Sequence, residues 1–164
     1  MAKNDVKIIK AGIGHEENFL TAAGTSLVVG DPVMKSGDNI VRVTDGTPAI
    51  GTDEFIGVVT RASTDTASAA GEVRVFMPGP DTILRSKVTT TGNVDTIAKI
   101  NALKMHSVTF DVSGTTVTID EDEADDPNVH TLFIIAGNHK KFTLDYIMNK
   151  PAGPAGGTVG QTRD

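Results

Sequence analysis

The sequence lacks the residues on which disulfides and thiol chemistry depend, since it contains no cysteine, and it has no tryptophan either. Disulfides, a cysteine nucleophile and cysteine-based zinc sites are therefore excluded. Aromatic residues make up only 4 % of the chain, so a core must be built mostly from valine, isoleucine, leucine and alanine. No apolar run approaches the ~20 residues that cross a bilayer, and the start, MAKNDVKIIK, lacks the apolar segment of a signal peptide. We therefore expect synthesis in a cytoplasm and no membrane partner.

Positive charge is also scarce, because the formal net charge is -6 and the isoelectric point is near 5.1. Proteins that bind nucleic acid cluster lysine and arginine against the phosphates, so we expect no direct nucleic-acid partner. Glycine and proline are plentiful, with 17 and 7 residues among valine- and threonine-rich runs. That composition favours many short strands joined by turns.

The stretch from residue 27 to residue 88 consists of short apolar runs separated by turn residues such as Gly30-Asp31-Pro32 and Pro78-Gly79-Pro80. The predicted strands are 32–35, 40–44, 55–61 and 73–77. Strands at this spacing predict a mainly β fold, a small antiparallel barrel or sandwich.

The second half predicts one helix and two hairpins. Residues 93–105 carry apolar residues at helical spacing, and Asn93 is a suitable N-cap. Residues 107–120 alternate about a Ser113-Gly114 turn, and residues 130–148 alternate about a turn at Gly137-Asn138.

We divide the chain into three parts on this pattern. Residues 1–24 are predicted to form an extended N-terminal arm, and residues 149–164 a flexible tail that is rich in glycine and proline. Residues 25–148 are predicted to form a β-rich domain, either as one body or as two lobes, 25–88 and 89–148.

The segment GEVRVFMPGP, residues 71–80, is interpreted as a half-buried strand at the edge of a sheet. Glu72, Arg74 and Phe76 fall on one face of an extended chain, and the opposite face is uniformly apolar. We expect the first face to meet water or a partner, and the prolines to end the strand.

The acidic run Asp120–Asp126 contains enough oxygen atoms for a cation, but it does not match an EF-hand. A loop beginning at Asp120 would need glycine and glutamate where the sequence has Asp125 and Thr131. We interpret the run as a solvated connector, with a cation site as the alternative.

Other candidate chemistry is weak. Two lysines beside an aromatic ring, at Lys140, Lys141 and Phe142, are too few for a phosphate-binding patch, so we interpret them as the charged end of a hairpin. The four histidines do not share the spacing of a metal site. These residues are His15, His106, His130 and His139. We expect no catalytic, metal or cofactor site, and therefore no enzyme.

Three segments carry a family resemblance: VVGDPVMKSG, EFIGVVTRAS and AAGEVRVFMPGP. In that order they resemble the small β-rich domain of the capsid decoration, or cement, proteins of tailed bacteriophages. The resemblance implies a structural protein of the virion, made in the bacterial host cytoplasm. It would lie on the outer surface of the assembled capsid, as a homotrimer that binds the major capsid protein and stabilises the shell.

The resemblance also implies where the capsid would be bound. An N-terminal arm commonly adds a strand to the capsid subunits, and the residues of this chain that fit such an arm are Val6, Ile8 and Ile9. The second predicted surface is the face formed by Glu72, Arg74 and Phe76. Two alternatives stay open: a tail-tube or other virion component, and a carbohydrate- or cation-binding β module that uses Asp120–Asp126.

Overall fold

The computed structural model describes residues 6–49 and 54–148, which form eleven strands, a 3₁₀ turn and one short α-helix. The strands are β1 (Lys7–Lys10), β2 (His15–Thr21), β3 (Pro32–Ser36), β4 (Asn39–Arg42), β5 (Phe55–Arg61), β6 (Gly71–Met77), β7 (Ile83–Lys87), β8 (Ser107–Ser113), β9 (Thr116–Asp120), β10 (Leu132–Asn138) and β11 (Thr143–Met148). They form two antiparallel sheets that pack together and are not closed into a barrel. The mainly β prediction is confirmed, and of its two forms the structure has the sandwich.

The six-stranded sheet has the order β1-β7-β11-β10-β8-β9. Both predicted hairpins lie in it, as β8–β9 and β10–β11. The sheet curls so that β9 meets the end of β7 through a single parallel bridge between Val88 and Ile119. A hydrogen bond from the Thr89 N–H to the Ile119 carbonyl, at 3.0 Å, adds to this link between β9 and the chain after β7.

The turn of the second hairpin lies further along the chain than predicted. Gly137 and Asn138 belong to β10 and pair with β11. The chain reverses after them because the Asn138 side-chain oxygen accepts hydrogen bonds from the N–H groups of Lys140 (3.0 Å) and Lys141 (3.1 Å). An asparagine that bonds to the backbone two residues on closes a loop in this way.

The five-stranded sheet has the order β2-β6-β5-β3-β4. All four strands predicted between residues 27 and 88 are found in it, as β3, β4, β5 and β6. Because β6 lies between β2 and β5, its main-chain groups are paired on both sides.

The main core lies between the two sheets. Its centre is aromatic. The ring centroid of Phe110 in β8 lies 5.3 Å from that of Phe55 in β5 and 6.2 Å from that of Tyr146 in β11, and both pairs pack edge to face. The Tyr146 hydroxyl is fully buried and shares a 2.7 Å hydrogen bond with Ser86, and this burial raises the pKa of Tyr146. A second cluster, on the five-stranded sheet, is formed by Leu27, Val33, Ile40, Val59, Val73 and Val75.

The helix is shorter than predicted. It spans Ile97–Leu103, and its N-cap is Thr96, whose hydroxyl accepts from the Lys99 N–H. Asn93 ends the 3₁₀ turn Thr91–Asn93 instead, and its side chain bonds to the acidic loop. Within the described residues no helix is long and apolar enough to span a bilayer.

The N-terminal segment is not separate from the body, contrary to the prediction of an arm over residues 1–24. Strand β1 pairs with β7 in one sheet, and β2 pairs with β6 in the other. A lobe boundary at residues 88–89 would also cut the six-stranded sheet, because β7 pairs with β11. Residues 1–5 and the predicted tail, 149–164, lie outside the described residues.

Candidate functional site

The three predicted arm residues lie in different environments. Val6 is only 3 % exposed, belongs to the main core and donates its N–H to the Gly30 carbonyl at 3.0 Å. Ile8 is half-buried and packs against the same core, whereas Ile9 is 45 % exposed. In this conformation Ile9 alone among the three offers an apolar surface to a partner.

The predicted edge at residues 72–80 is wrong, because β2 covers it. Each residue of β6 from Gly71 to Met77 pairs with a residue of β2. Phe76, expected on the outer face, is 6 % exposed because the chain at Gly14 crosses directly over its ring. A Cβ atom at Gly14 would overlap that ring, so only glycine allows this approach. Glu72 is exposed as predicted, and Arg74 is half-buried.

Arg74 is held in a polar group on the outer face of β2, β6 and β5. Its guanidinium lies 3.5 Å from the Glu16 carboxylate and donates to the Asn18 side-chain oxygen at 3.3 Å. The hydroxyl of Thr60 also donates to Glu16, and these contacts, with the Thr60 bond the largest, lower the pKa of Glu16. Exposed pairs of this kind contribute little to stability, so we expect the loss of any one of these contacts to have a small effect on folding.

The strands at the sheet edges are β1 and β9 in one sheet and β2 and β4 in the other. Residues 7–20, which we call the N-terminal edge, connect two of these strands and carry three exposed apolar side chains. Ile9, Ile13 and Leu20 are 45 %, 71 % and 57 % exposed. The N-terminal edge is therefore the part of the described chain where strand edges and exposed apolar side chains coincide.

The turn of the N-terminal edge is fixed by the segment before β7. The Ile13 N–H donates to the Asp81 carboxylate at 2.9 Å, and the Thr82 hydroxyl donates to the Ala11 carbonyl at 2.6 Å. Gly12 has a φ of +60°, a conformation that glycine adopts without steric cost. The turn thus presents Ile13 to solvent from an anchored backbone. The corresponding signal in the sequence is an apolar residue between two glycines, at Gly12 and Gly14.

The acidic loop connects the two hairpins and lies mostly at the surface, as predicted, but two of its carboxylates also bind neighbouring segments of the chain. Glu121 is 5 % exposed and accepts hydrogen bonds from the N–H groups of Thr89 (3.1 Å) and Thr90 (3.0 Å) and from the Asn93 amide (2.9 Å). Asp125 accepts from the N–H and the hydroxyl of Ser107, both at 2.9 Å. Across residues 6–49 and 54–148, no group of three or more His, Asp or Glu side chains could hold a metal ion.

The four histidines do not form one cluster, although two of them lie near the same carboxylate. His15 begins β2 and His139 follows β10, whereas His106 and His130 lie before β8 and β10. The last two are close enough to Asp125 to contribute to the lowering of its pKa, after the larger contributions of its two hydrogen bonds to Ser107.

The lowered pKa of Asp125 predicts an acid-sensitive contribution to stability. The folded pKa of Asp125 lies below the ordinary value of 3.8. The contribution to stability is therefore present above pH 3.8 and is lost as the pH falls from there through the folded pKa. Because Asp125 is exposed and solvent screens its contacts, we expect Asp125→Asn to lower the free energy of unfolding by only about 0.5 kcal/mol at neutral pH. The difference from the wild type should shrink below about pH 4, as urea titrations at several pH values would show.

The matched control for this prediction is Asp38→Asn, which removes an exposed carboxylate in the turn between β3 and β4. It changes the net charge equally and leaves the hydrogen bonds between Asp125 and Ser107 intact. An equal, acid-sensitive loss in both variants would mean that net charge, not the Ser107 hydrogen bonds, is the cause.

The comparisons with known proteins add no relative. No protein-family model matches the sequence, and no curated protein matches it either. The resemblance of the three segments to decoration proteins stays a prediction that rests on the residues of this chain.

Proposed function

We propose that this protein is a head decoration protein of a tailed bacteriophage. In this role it is not an enzyme: it binds the major capsid protein on the outer surface of the assembled head, as a homotrimer, and stabilises the shell. The three segments that resemble this family support the proposal, because each contributes a strand to the five-stranded sheet, as β3, β5 and β6.

The observation that carries the proposal is the N-terminal edge. An edge strand binds an added strand through main-chain hydrogen bonds, and neighbouring side chains supply the specificity. Apolar side chains that are exposed in the free protein gain stability when a partner covers them, at about 25 cal/mol per Å² of buried apolar area. Ile9, Ile13 and Leu20 supply such an area beside the edges.

The structure changes the expected direction of this contact. In the described conformation β1 is paired in its own sheet, so a segment of the capsid subunit would be added to this protein rather than the reverse. Each contact is modest, and many copies on a symmetric lattice gain avidity from it.

The experiment is reconstitution on heads that lack the chain, prepared from the phage whose genome carries the sequence. Cryo-electron microscopy of heads incubated with the purified protein should show added density at local threefold positions. We expect the double variant Ile13→Asp/Leu20→Asp to lower the occupancy at least tenfold, because it places two charges in the proposed contact.

Its control is Ile97→Asp/Met105→Asp, which alters two side chains that are 62 % and 66 % exposed and lie in and directly after α1, the helix that packs on β10. Both double variants should have melting temperatures close to that of the wild type. Bare heads after incubation with the wild type, or density in the tail tube instead, would overturn the proposal. Equal occupancy by both double variants would show that the capsid contact does not lie at the N-terminal edge.

A further inference from the structure

A groove of about 470 Å³ lies on the six-stranded sheet beside the loop that joins β10 to β11. It is lined by four lysines, an aromatic ring and a buried hydroxyl, and we call it the lysine groove. These residues are Lys7, Lys87, Lys140, Lys141, Phe142 and Thr143. Its volume falls in the range of small-molecule sites, about 300–1,000 Å³.

The fold assembles the groove from three distant parts of the chain. Lys7 of β1 lies opposite Arg85 of β7, and Lys87 is two residues further along β7, on the same face. Lys87 pairs in turn with Thr143, the first residue of β11, directly after Lys140 and Lys141 in the chain. Two lysines alone were too few for a phosphate patch, and the sheet brings two more to them.

The positive charge of the lysines is not neutralised locally. Arg85 also lines the groove, but both oxygens of Asp145 accept from it, at 2.6 and 2.9 Å, which raises the pKa of Arg85. In the described parts of the chain, none of the four groove lysines makes an ion pair. Four unpaired cations on a chain of net charge -6 form a local site of attraction for anions.

Two further features of the groove point to a ligand. Phe142 has a φ of +53°, a conformation that is strained for a residue other than glycine, and its ring is 36 % exposed. Strain of this kind concentrates at binding sites. Thr143 is 8 % exposed, and its hydroxyl is buried without a hydrogen-bond partner among the described residues.

We propose that the lysine groove binds a phosphate ester of mononucleotide size, with its phosphates among the lysines and its base against the Phe142 ring. Lysine binds phosphate as a compact charge, whereas planar carboxylates favour the fork of arginine, and the groove arginine is already paired. This favours a phosphate over an acidic peptide. The small volume of the groove and the overall negative charge of the chain favour a single nucleotide over a nucleic-acid chain.

The test is isothermal titration calorimetry of the full chain with ATP at low ionic strength. Pyrophosphate should bind more weakly, adenosine should not bind measurably, and the affinity for ATP should fall as salt is added. Lys140→Gln/Lys141→Gln should weaken ATP binding about tenfold. Phe142→Gly, in which glycine accepts the φ of +53° without strain, should weaken the binding of ATP but not that of pyrophosphate.

The control is Lys35→Gln/Lys104→Gln, which removes two exposed lysines outside the groove and changes the net charge equally. Its affinity for ATP should stay within about twofold of the wild type. The proposal is overturned if the wild type does not bind millimolar ATP, or if both double variants lose affinity equally. It is also overturned if a glutamate-rich peptide or a short single-stranded DNA binds more tightly than ATP. Because no capsid is involved, this proposal and the proposed function can fail separately.

Discussion

Replacing Phe110 by alanine is expected to lower the free energy of unfolding by about 4 kcal/mol, the largest effect we predict for a single side chain. Phe110 is fully buried in β8, and its ring lies between Phe55 of the five-stranded sheet and Tyr146 of the six-stranded sheet. Alanine would leave a cavity at the junction of the two sheets and remove both edge-to-face contacts. Urea titration followed by circular dichroism measures the loss.

The backbone at Phe110 makes the cavity difficult to close. Its N–H donates to the Thr47 carbonyl at 2.6 Å, and its carbonyl accepts from the Gly46 N–H at 2.9 Å. Since residues 46 and 47 hold β8 on one side of Phe110 and β9 pairs with it on the other, the backbone resists collapse into the space. Phe110→Leu, which keeps most of the volume, should cost only about 1 kcal/mol. Leu20→Ala, at an exposed position, should cost less still, and a loss equal to that of Phe110→Ala would contradict the account.

Local patterns predicted the elements that form between neighbours in the chain. The β8–β9 hairpin was predicted from strict alternation about Ser113-Gly114, and Gly114 does adopt a positive φ, +62°. Strand β6 was predicted from the alternation of its residues, and β5 from a short apolar run between turn residues. Such signals depend only on a few adjacent residues, so they can be identified in a single sequence.

The pairing of distant strands could not be predicted in this way. Lys7 lies opposite Arg85 and Leu20 lies opposite Glu72, separations of more than fifty residues that no local pattern encodes. The order of strands decides which of them is an edge, and for this reason the local patterns predict, wrongly, that β6 is an edge and that β2 belongs to an arm. The wrong prediction that Phe76 is exposed has the same cause, because the chain that covers its ring comes from Gly14, far away in the sequence.

The candidate sites show the same division. The sequence indicated that Ile9 would be available to a partner, but Ile13 and Leu20 became candidates only once their strands were placed. Lys140 and Lys141 alone do not predict a phosphate site, because the lysines that join them in the groove belong to β1 and β7, far away in the chain. In Asp120–Asp126 the charge was visible, but the N–H groups of Thr89 and Thr90 that use it were not.

Replacing Gly57 by alanine is expected to destabilise the five-stranded sheet by about 3 kcal/mol, although it adds a single methyl group. Gly57 is buried in β5, where a Cβ atom would lie against the carbonyl oxygen of Phe76 and 2.8 Å from Cγ1 of Val75. Both neighbours belong to β6, whose backbone is fixed by pairing on its two sides, so relief requires the two central strands to separate. Thermal and urea unfolding should show the loss.

The matched control for Gly57→Ala is Gly92→Ala, at an exposed position in the 3₁₀ turn with no atom within 4 Å of the added methyl group. It makes the same chemical change and should alter the free energy of unfolding by less than about 0.5 kcal/mol. If Gly57→Ala unfolds like the wild type, β5 and β6 are not as close as described. The sheet that carries the three segments that resemble decoration proteins would then need a different packing. The size of the Gly57→Ala effect is therefore a direct measure of how tightly β5 and β6 pack at the centre of that sheet.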